Sequence, residues 1–147
     1  MPVVIENIEI KGDSRKIFEI IMDLEAYPQY MNAIKKIEIV ERGEGYVMSK
    51  WTTSASGITL RWTEKDTYDL ENLTVHYKLT EGDISKFEGH WKVIPVAENL
   101  NLVELKIDFD IGVPVLEAFV GPMAKAVVTQ NAKGMLSALK EKIEGGL

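Results

Sequence analysis

Apolar and polar residues change rhythm twice along this chain. Near the start, Val4, Ile8 and Ile10 stand with polar Glu9 between the last two, a loose period of two that predicts a strand over Val3–Lys11. Gly12, Asp13 and Ser14 break it, and Asp13 or Ser14 is placed to cap a helix. Ile17, Phe18, Ile21 and Leu24 then recur at helical spacing over residues 15–24. A second short helix is expected over residues 24–31, interrupted near Pro28.

From residue 34 to residue 111 the period of two returns, cut by turns. Ile37 and Ile39 alternate with charged neighbours before the turn at Gly43, Glu44 and Gly45. Strands are expected over residues 46–55, closed by Ser56 and Gly57, and over residues 58–69, closed by Leu70, Glu71 and Asn72. Residues 73–80 follow, closed by Glu81, Gly82 and Asp83, and then residues 85–96, closed by Glu98 and Asn99. In the last strand Leu105, Ile107, Phe109 and Ile111 alternate with Glu104, Lys106, Asp108 and Asp110. Short connections between successive strands imply an antiparallel meander.

The rhythm then becomes helical. Gly112 and Pro114 end the last strand, residues 115–120 can begin a helix, and Gly121 and Pro122 should interrupt it. Ala124, Val127, Val128, Asn131, Met135, Ala138, Leu139 and Ile143 mark the longest helix, over residues 123–144, with Val127, Asn131, Met135 and Ala138 expected to face inward. A strand, two short helices, six strands and a long helix make an α+β domain of one unit over residues 1–147. Its economical form is a curved seven-stranded antiparallel sheet gripping the long helix.

Composition narrows the chemistry. With no cysteine there is no disulfide, no thiolate nucleophile and no cysteine-ligated metal, and the two histidines, His76 and His90, cannot build a multi-histidine centre. The formal charge of -6 argues against a nucleic-acid partner. No apolar run is long enough for a membrane span and the first residues lack a signal-peptide core, so a cytoplasmic location is the expectation. No dinucleotide or phosphate-binding fingerprint is present, and no cofactor or metal is called for.

Three segments carry a resemblance. Residues 18–30, FEIIMDLEAYPQY, residues 87–95, FEGHWKVIP, and residues 108–114, DFDIGVP, are similar in order and spacing to the opening helices, the Gly–x–Trp strand and the final-helix entry of the START/Bet v1-like helix-grip superfamily. Within it the chain most resembles the polyketide cyclase/dehydratase and aromatase/cyclase proteins, and also the coenzyme Q-binding group. The resemblance implies a cavity between sheet and long helix for a hydrophobic or aromatic small molecule. Two readings stay open. One is aldol cyclisation and dehydration of a poly-β-ketone, which an acyl carrier protein would deliver. The other is unreactive carriage of an isoprenoid quinone or lipid. Where the aromatase/cyclase pattern has a Glu–Tyr pair and an arginine, this chain has Ala33, Ile34 and Asp66.

The residues themselves suggest where chemistry would sit. Alternation puts Ile58, Leu60, Trp62, Glu64, Asp66 and Tyr68 on one strand face and Arg61, Thr63, Lys65 and Thr67 on the other. Two carboxyls between Trp62 and Tyr68 would, if enclosed, raise each other's pKa and serve as a proton-transfer pair; on an exposed strand end they would be ordinary surface charges. Tyr77 and Tyr30 are candidate donors to a carbonyl oxygen, against an alternative of core packing with one hydrogen bond. Histidine suits acid–base work near neutrality, which makes His90 a candidate, although alternation assigns both histidines to the polar face. Trp62, Trp91, Met31 and Met135 are candidate ligand-lining residues, and Asn131 is a polar spot on the inward stripe of the last helix.

Overall fold

Strands joined by turns too short for a crossover can only pair with their chain neighbours, and that governs the architecture. A computed structural model describes residues 3–55, 57–110 and 114–145. Seven strands form one sheet: β1 (Val3–Lys11), β2 (Ile34–Gly43), β3 (Tyr46–Ala55), β4 (Ile58–Asp69), β5 (Thr74–Gly82), β6 (Lys86–Ala97) and β7 (Leu100–Asp110). Their order is β1-β7-β6-β5-β4-β3-β2, and every neighbouring pair is antiparallel. β2 to β7 are the expected meander, and β1 joins its far side by pairing with β7.

Between β1 and β2 lie helix α1 (Ser14–Met22) and a 3-10 segment (Leu24–Gln29) that contains Pro28. Asp13 is the cap of α1: its side chain accepts the Lys16 N–H at 3.1 Å. Helix α2 (Pro114–Gly145) follows β7 and packs against β1 and β7, while α1 lies on β6 and the 3-10 segment on β2. This is the helix-grip arrangement of a curved sheet around a long C-terminal helix, with two short helical elements after the first strand.

Strand edges agree closely with the alternation, and two departures have physical causes. Glu81 and Gly82, expected in a turn with Asp83, are instead the end of β5, and Asp83 follows it in a bend. Thr80 is an extra residue between Leu79, paired with Glu64, and Glu81, paired with Thr63. Its hydroxyl donates to the Thr63 carbonyl at 3.1 Å, which holds the bulge in place. Gly82 then pairs with Trp62 at φ +149°, so close that an added Cβ would stand 2.4 Å from the Trp62 Cβ. The second departure is α2, which runs unbroken through Gly121 and Pro122. A proline removes one N–H donor from a helix, and 32 residues leave whole turns on both sides to sustain it. The expected break at Ser56 and the strand end at Gly112 lie outside the described residues.

The buried face of α2 is turned by one residue from expectation. Ala132, Leu136 and Leu139 are buried, whereas Val127, Asn131, Met135 and Ala138 are only half-buried. The cause is where the helix lies: it is packed on β1 at the sheet edge and on its neighbour β7. Lys140 fixes that position by donating to the Glu9 carbonyl at 2.6 Å, and the Lys11 N–H donates to Glu144 at 2.8 Å.

Gly89 of β6 lies hard against β7. At Gly89 an added Cβ would lie 1.9 Å from the Lys106 carbonyl oxygen and 2.8 Å from the Tyr77 hydroxyl. The backbone there has no room for a side chain, so Gly89→Ala must push the strands apart. Overpacking of this kind costs about 2–3 kcal/mol. Urea unfolding should show that loss, and a variant as stable as the parent would refute the close approach.

Candidate functional site

Period two on β3 and β4 sets one row of side chains facing the inside of the curve. On β4 these are Trp62, Glu64 and Asp66, all buried, then Tyr68 at the margin. On β3 they are Val47, Ser49 and Trp51. Cross-strand register puts Ser49 opposite Glu64 and Trp51 opposite Trp62, and on the other side Tyr77 of β5 opposite Asp66. Glu64 is 2% exposed and Asp66 1%, so the surface-charge alternative does not apply.

Ser49, Trp51, Trp62, Glu64 and Asp66 are joined by hydrogen bonds. Glu64 and Asp66 are hydrogen-bonded to each other. The Trp62 indole N–H donates to Glu64 Oε1 at 2.7 Å, Ser49 Oγ donates to Asp66 Oδ2 at 2.5 Å, and the Trp51 indole N–H donates to Ser49 Oγ at 2.8 Å. Burial first, and then the Asp66 charge, holds the Glu64 carboxyl well above the usual carboxylate range. Burial also raises Asp66, against the hydrogen bonds from Glu64 and Ser49 that favour its ionised form. Burial therefore favours a proton on the pair, more strongly on Glu64 than on Asp66.

Aromatic rings enclose the pair. Trp51 and Trp62 are stacked at 5.6 Å between centroids, Trp62 meets Phe87 at 4.9 Å, and Phe87 meets Tyr77 at 5.3 Å. Tyr27 packs edge-on against both Trp51 and Trp91. The phenols of this wall are committed to the fold. Tyr77 donates to the Lys106 carbonyl at 2.5 Å, and Tyr27 to the Ile21 carbonyl. Both hydroxyls are pushed well above their ordinary pKa, foremost by burial. Tyr68 is pushed up to about 12, by burial and then by Asp66.

The remaining candidates divide. Met31 and Trp91 are buried in the core, and Met135 packs against it from α2, half-buried beside half-buried Asn131. Tyr30 lies beyond Tyr27, its ring 6.1 Å away and under the Lys142 ammonium at 4.8 Å. Its hydroxyl is buried without a hydrogen-bond partner, and burial followed by the Asp23 charge raises its pKa. Among the described residues this is one of two such atoms, and it marks a place for a polar guest. His90 is not brought to the carboxyl pair. It faces the outer side of the sheet and meets Glu104 at 2.7 Å, next to His76 in an open groove of about 530 Å³. The unbulged pairing of β5 with β6 keeps the alternation there, so the polar-face reading of both histidines holds.

Ser49 was not picked out by sequence reasoning. Ser49 had a signal: it falls midway between Val47 and Trp51 on an inward row, where a hydroxyl needs a buried partner. Among the described residues there is no group of His, Cys, Asp or Glu able to hold a metal ion.

Comparison with known proteins adds three facts. A family model described as polyketide cyclase / dehydrase and lipid transport matches residues 11–136. The ribosome association toxin RatA of Escherichia coli is 21% identical over 141 residues, covering 96% of this chain and 89% of its own. Among solved structures, a Thermus thermophilus protein superposes with a TM-score of 0.92 at 25% identity over 99% of both chains, and a Streptomyces aromatase/cyclase with 0.89 at 19% identity over 97% of this chain and 93% of its own.

The carboxyl pair makes a pH prediction. A carboxyl whose folded pKa is raised keeps its proton after the unfolded chain has lost its own, so stability falls as pH rises from the unfolded value, near 4.3, towards the folded one. Glu64→Gln removes that titration. Thermal unfolding of parent and variant across pH 4–8 should show the variant gaining relative stability with rising pH, at a slope of about one proton. A difference independent of pH would mean that Glu64 is not held protonated.

Proposed function

The chain belongs to the polyketide cyclase / dehydrase and lipid transport family, and from that premise we propose that it is a carrier, which binds a hydrophobic or aromatic small molecule between sheet and helix without converting it. The observation that carries this reading is the closed hydrogen bonding around the carboxyl pair. Aldol closure needs a proton acceptor and also a donor aimed at the carbonyl oxygen where charge develops. The acceptor is here in Asp66. Of the phenols, Tyr77 and Tyr27 are bonded to main-chain carbonyls of their own fold, and Tyr30, whose hydroxyl has no partner, stands beyond Tyr27. An aromatic wall with a polar pair fixed in it suits recognition of one end of an apolar guest.

The comparisons support the same reading. The relative matched along nearly its whole length is named for ribosome association rather than for a reaction. The aromatase/cyclase likeness, at 19% identity, is a likeness of fold. The departures at Ala33, Ile34 and Asp66 fall where the aromatising pattern would need its own groups. An isoprenoid quinone or another lipid-like molecule is the class that the family description and the aromatic wall jointly suit, and a cytoplasmic location accords with a chain in which no described helix is long and apolar enough to cross a membrane.

Native mass spectrometry of protein purified from its own host should reveal a bound apolar molecule. A short-tailed quinone should quench tryptophan emission, and Trp62→Ala should weaken its binding about tenfold or more, the cost of removing a central aromatic anchor. A poly-β-ketone thioester should be returned unchanged. If it is instead cyclised, and Glu64→Gln cuts that turnover by roughly 10²–10⁴-fold, the carrier reading fails and Glu64 is a catalytic acid.

A further inference from the structure

Along β4 to β7 the side chains that point away from the core stand in cross-strand rows. Register sets Lys65 directly opposite Lys78 in one row, and Thr67, His76, His90 and Lys106 side by side in the next. These two rows line the open groove of about 530 Å³ on the outer face of the sheet. The β4 and β5 side chains there are exposed, while those of β6 and β7 are half-buried and form its deeper end.

The charges of this groove do not close. Asp108 is held by Lys86 at 3.0 Å, and His90 meets Glu104 at 2.7 Å. Among the described residues Lys65, Lys78 and Lys106 make no ion pair. The Lys65 ammonium rests instead over the Tyr46 ring, 4.6 Å from its centroid. Glu88 is the one carboxylate of the lining without a cation on it, so three ammonium charges stand against one. The chain as a whole carries -6, which makes this positive excess local to the groove. Like charges directly opposite on neighbouring strands weaken a sheet, and Lys65 and Lys78 are such a pair. An anion seated between them turns one repulsion into two attractions.

We infer that the outer groove binds a small molecule through a phosphate group, seated over Lys65, Lys78 and His76. Two ammonium groups, an imidazole and the Thr67 hydroxyl offer more donors than the two oxygens of a carboxylate use. A phosphate ester brings up to about two charges and three acceptor oxygens. Glu88 and Asp108 keep the anionic group at the β4 and β5 end by repulsion. A groove of this volume holds a ligand of metabolite size. A long polyanion would run out onto the acidic remainder of the surface, which repels it. The inference does not rest on the carrier reading, because the groove lies on the opposite side of the sheet from the carboxyl pair.

The test titrates the full nitrogen-15-labelled chain with glucose 6-phosphate, inorganic phosphate and glucose at low ionic strength and follows the amide resonances, since salt screens exposed charges. Glucose 6-phosphate should produce saturable shifts confined to the groove strands around Lys65, His76, Lys78 and His90, and glucose should produce none. Lys78→Gln, which keeps the stem and removes the charge, should weaken binding about fivefold or more. Lys92→Gln, an exposed lysine of β6 outside the groove, should leave it unchanged. Inorganic phosphate bound as tightly as the ester identifies the free ion as a sufficient ligand, and weaker binding identifies the ester; both support a phosphate site. Shifts that do not saturate, shifts spread over lysines of the whole surface, or a loss with Lys92→Gln equal to that with Lys78→Gln overturn the inference. The amide spectrum of each variant without ligand shows that it is folded, and none of these outcomes bears on the carrier reading.

Discussion

One hydrogen bond, between Glu64 and Asp66, sets the terms for the inside of this sheet. Two carboxyls two residues apart on a strand project to the same side, and here that side is buried, leaving Glu64 and Asp66 almost no access to water. Both cannot readily ionise there, so at least one proton is kept on the pair. The residues around the pair follow from that need. Ser49 is a small hydroxyl on an otherwise apolar row because a lone pair of Asp66 must be met. Trp62 is a tryptophan and not a phenylalanine in the physical sense that its indole N–H meets Glu64. Trp51 completes the chain by meeting Ser49. A polar network in a low-dielectric interior is worth keeping only when each member is satisfied, and this one is.

Curvature brings the rest of the wall up to that network. The bulge at Thr80 and the bare backbone at Gly82 and Gly89 let β4, β5, β6 and β7 approach more closely than side chains would permit. The result reaches the site directly: because Gly89 has no side chain, the Tyr77 hydroxyl can reach the Lys106 carbonyl across β6. The glycine at this position thus determines what a tyrosine on the neighbouring strand is free to do. With its proton donated to the main chain, Tyr77 holds the sheet's bend and forms part of the aromatic wall.

The strands were legible because half-buried antiparallel strands write their exposure directly into period two, and β3 and β4 were readable to the residue. The bulge was not, since Thr80 is an ordinary strand residue and only the partner strand reveals that it is extra. The continuity of α2 through Pro122 was not, because proline's effect depends on how much helix stands on either side. Its rotation by one residue was hidden for a related reason: a broad apolar stripe fits several orientations, and packing on β1 chooses among them. The site was half legible. Alternation placed Glu64 and Asp66 inward with Trp62, and placed the histidines outward. It could not tell that Tyr77 would be bonded to a carbonyl, because that bond joins residues 29 apart across an intervening strand.

A charged pair at the centre of an apolar wall weakens the fold by the desolvation it demands, and a well-packed apolar substitute would be the more stable choice. Such a feature is retained where it does something that packing cannot. Here Ser49 and the Trp62 indole donate to the pair, and no Lys, Arg or His among the described residues is buried with it. A structural ion pair would have its partner within the protein, as His90 has Glu104 and Lys86 has Asp108 on the outer face. The two sides of the same sheet thus solve the problem of a carboxylate in opposite ways. Outside, each of these two carboxylates is closed by a neighbour on an adjacent strand. Inside, burial raises both carboxyls above their ordinary range, so that a proton rather than a neighbouring cation relieves the charge.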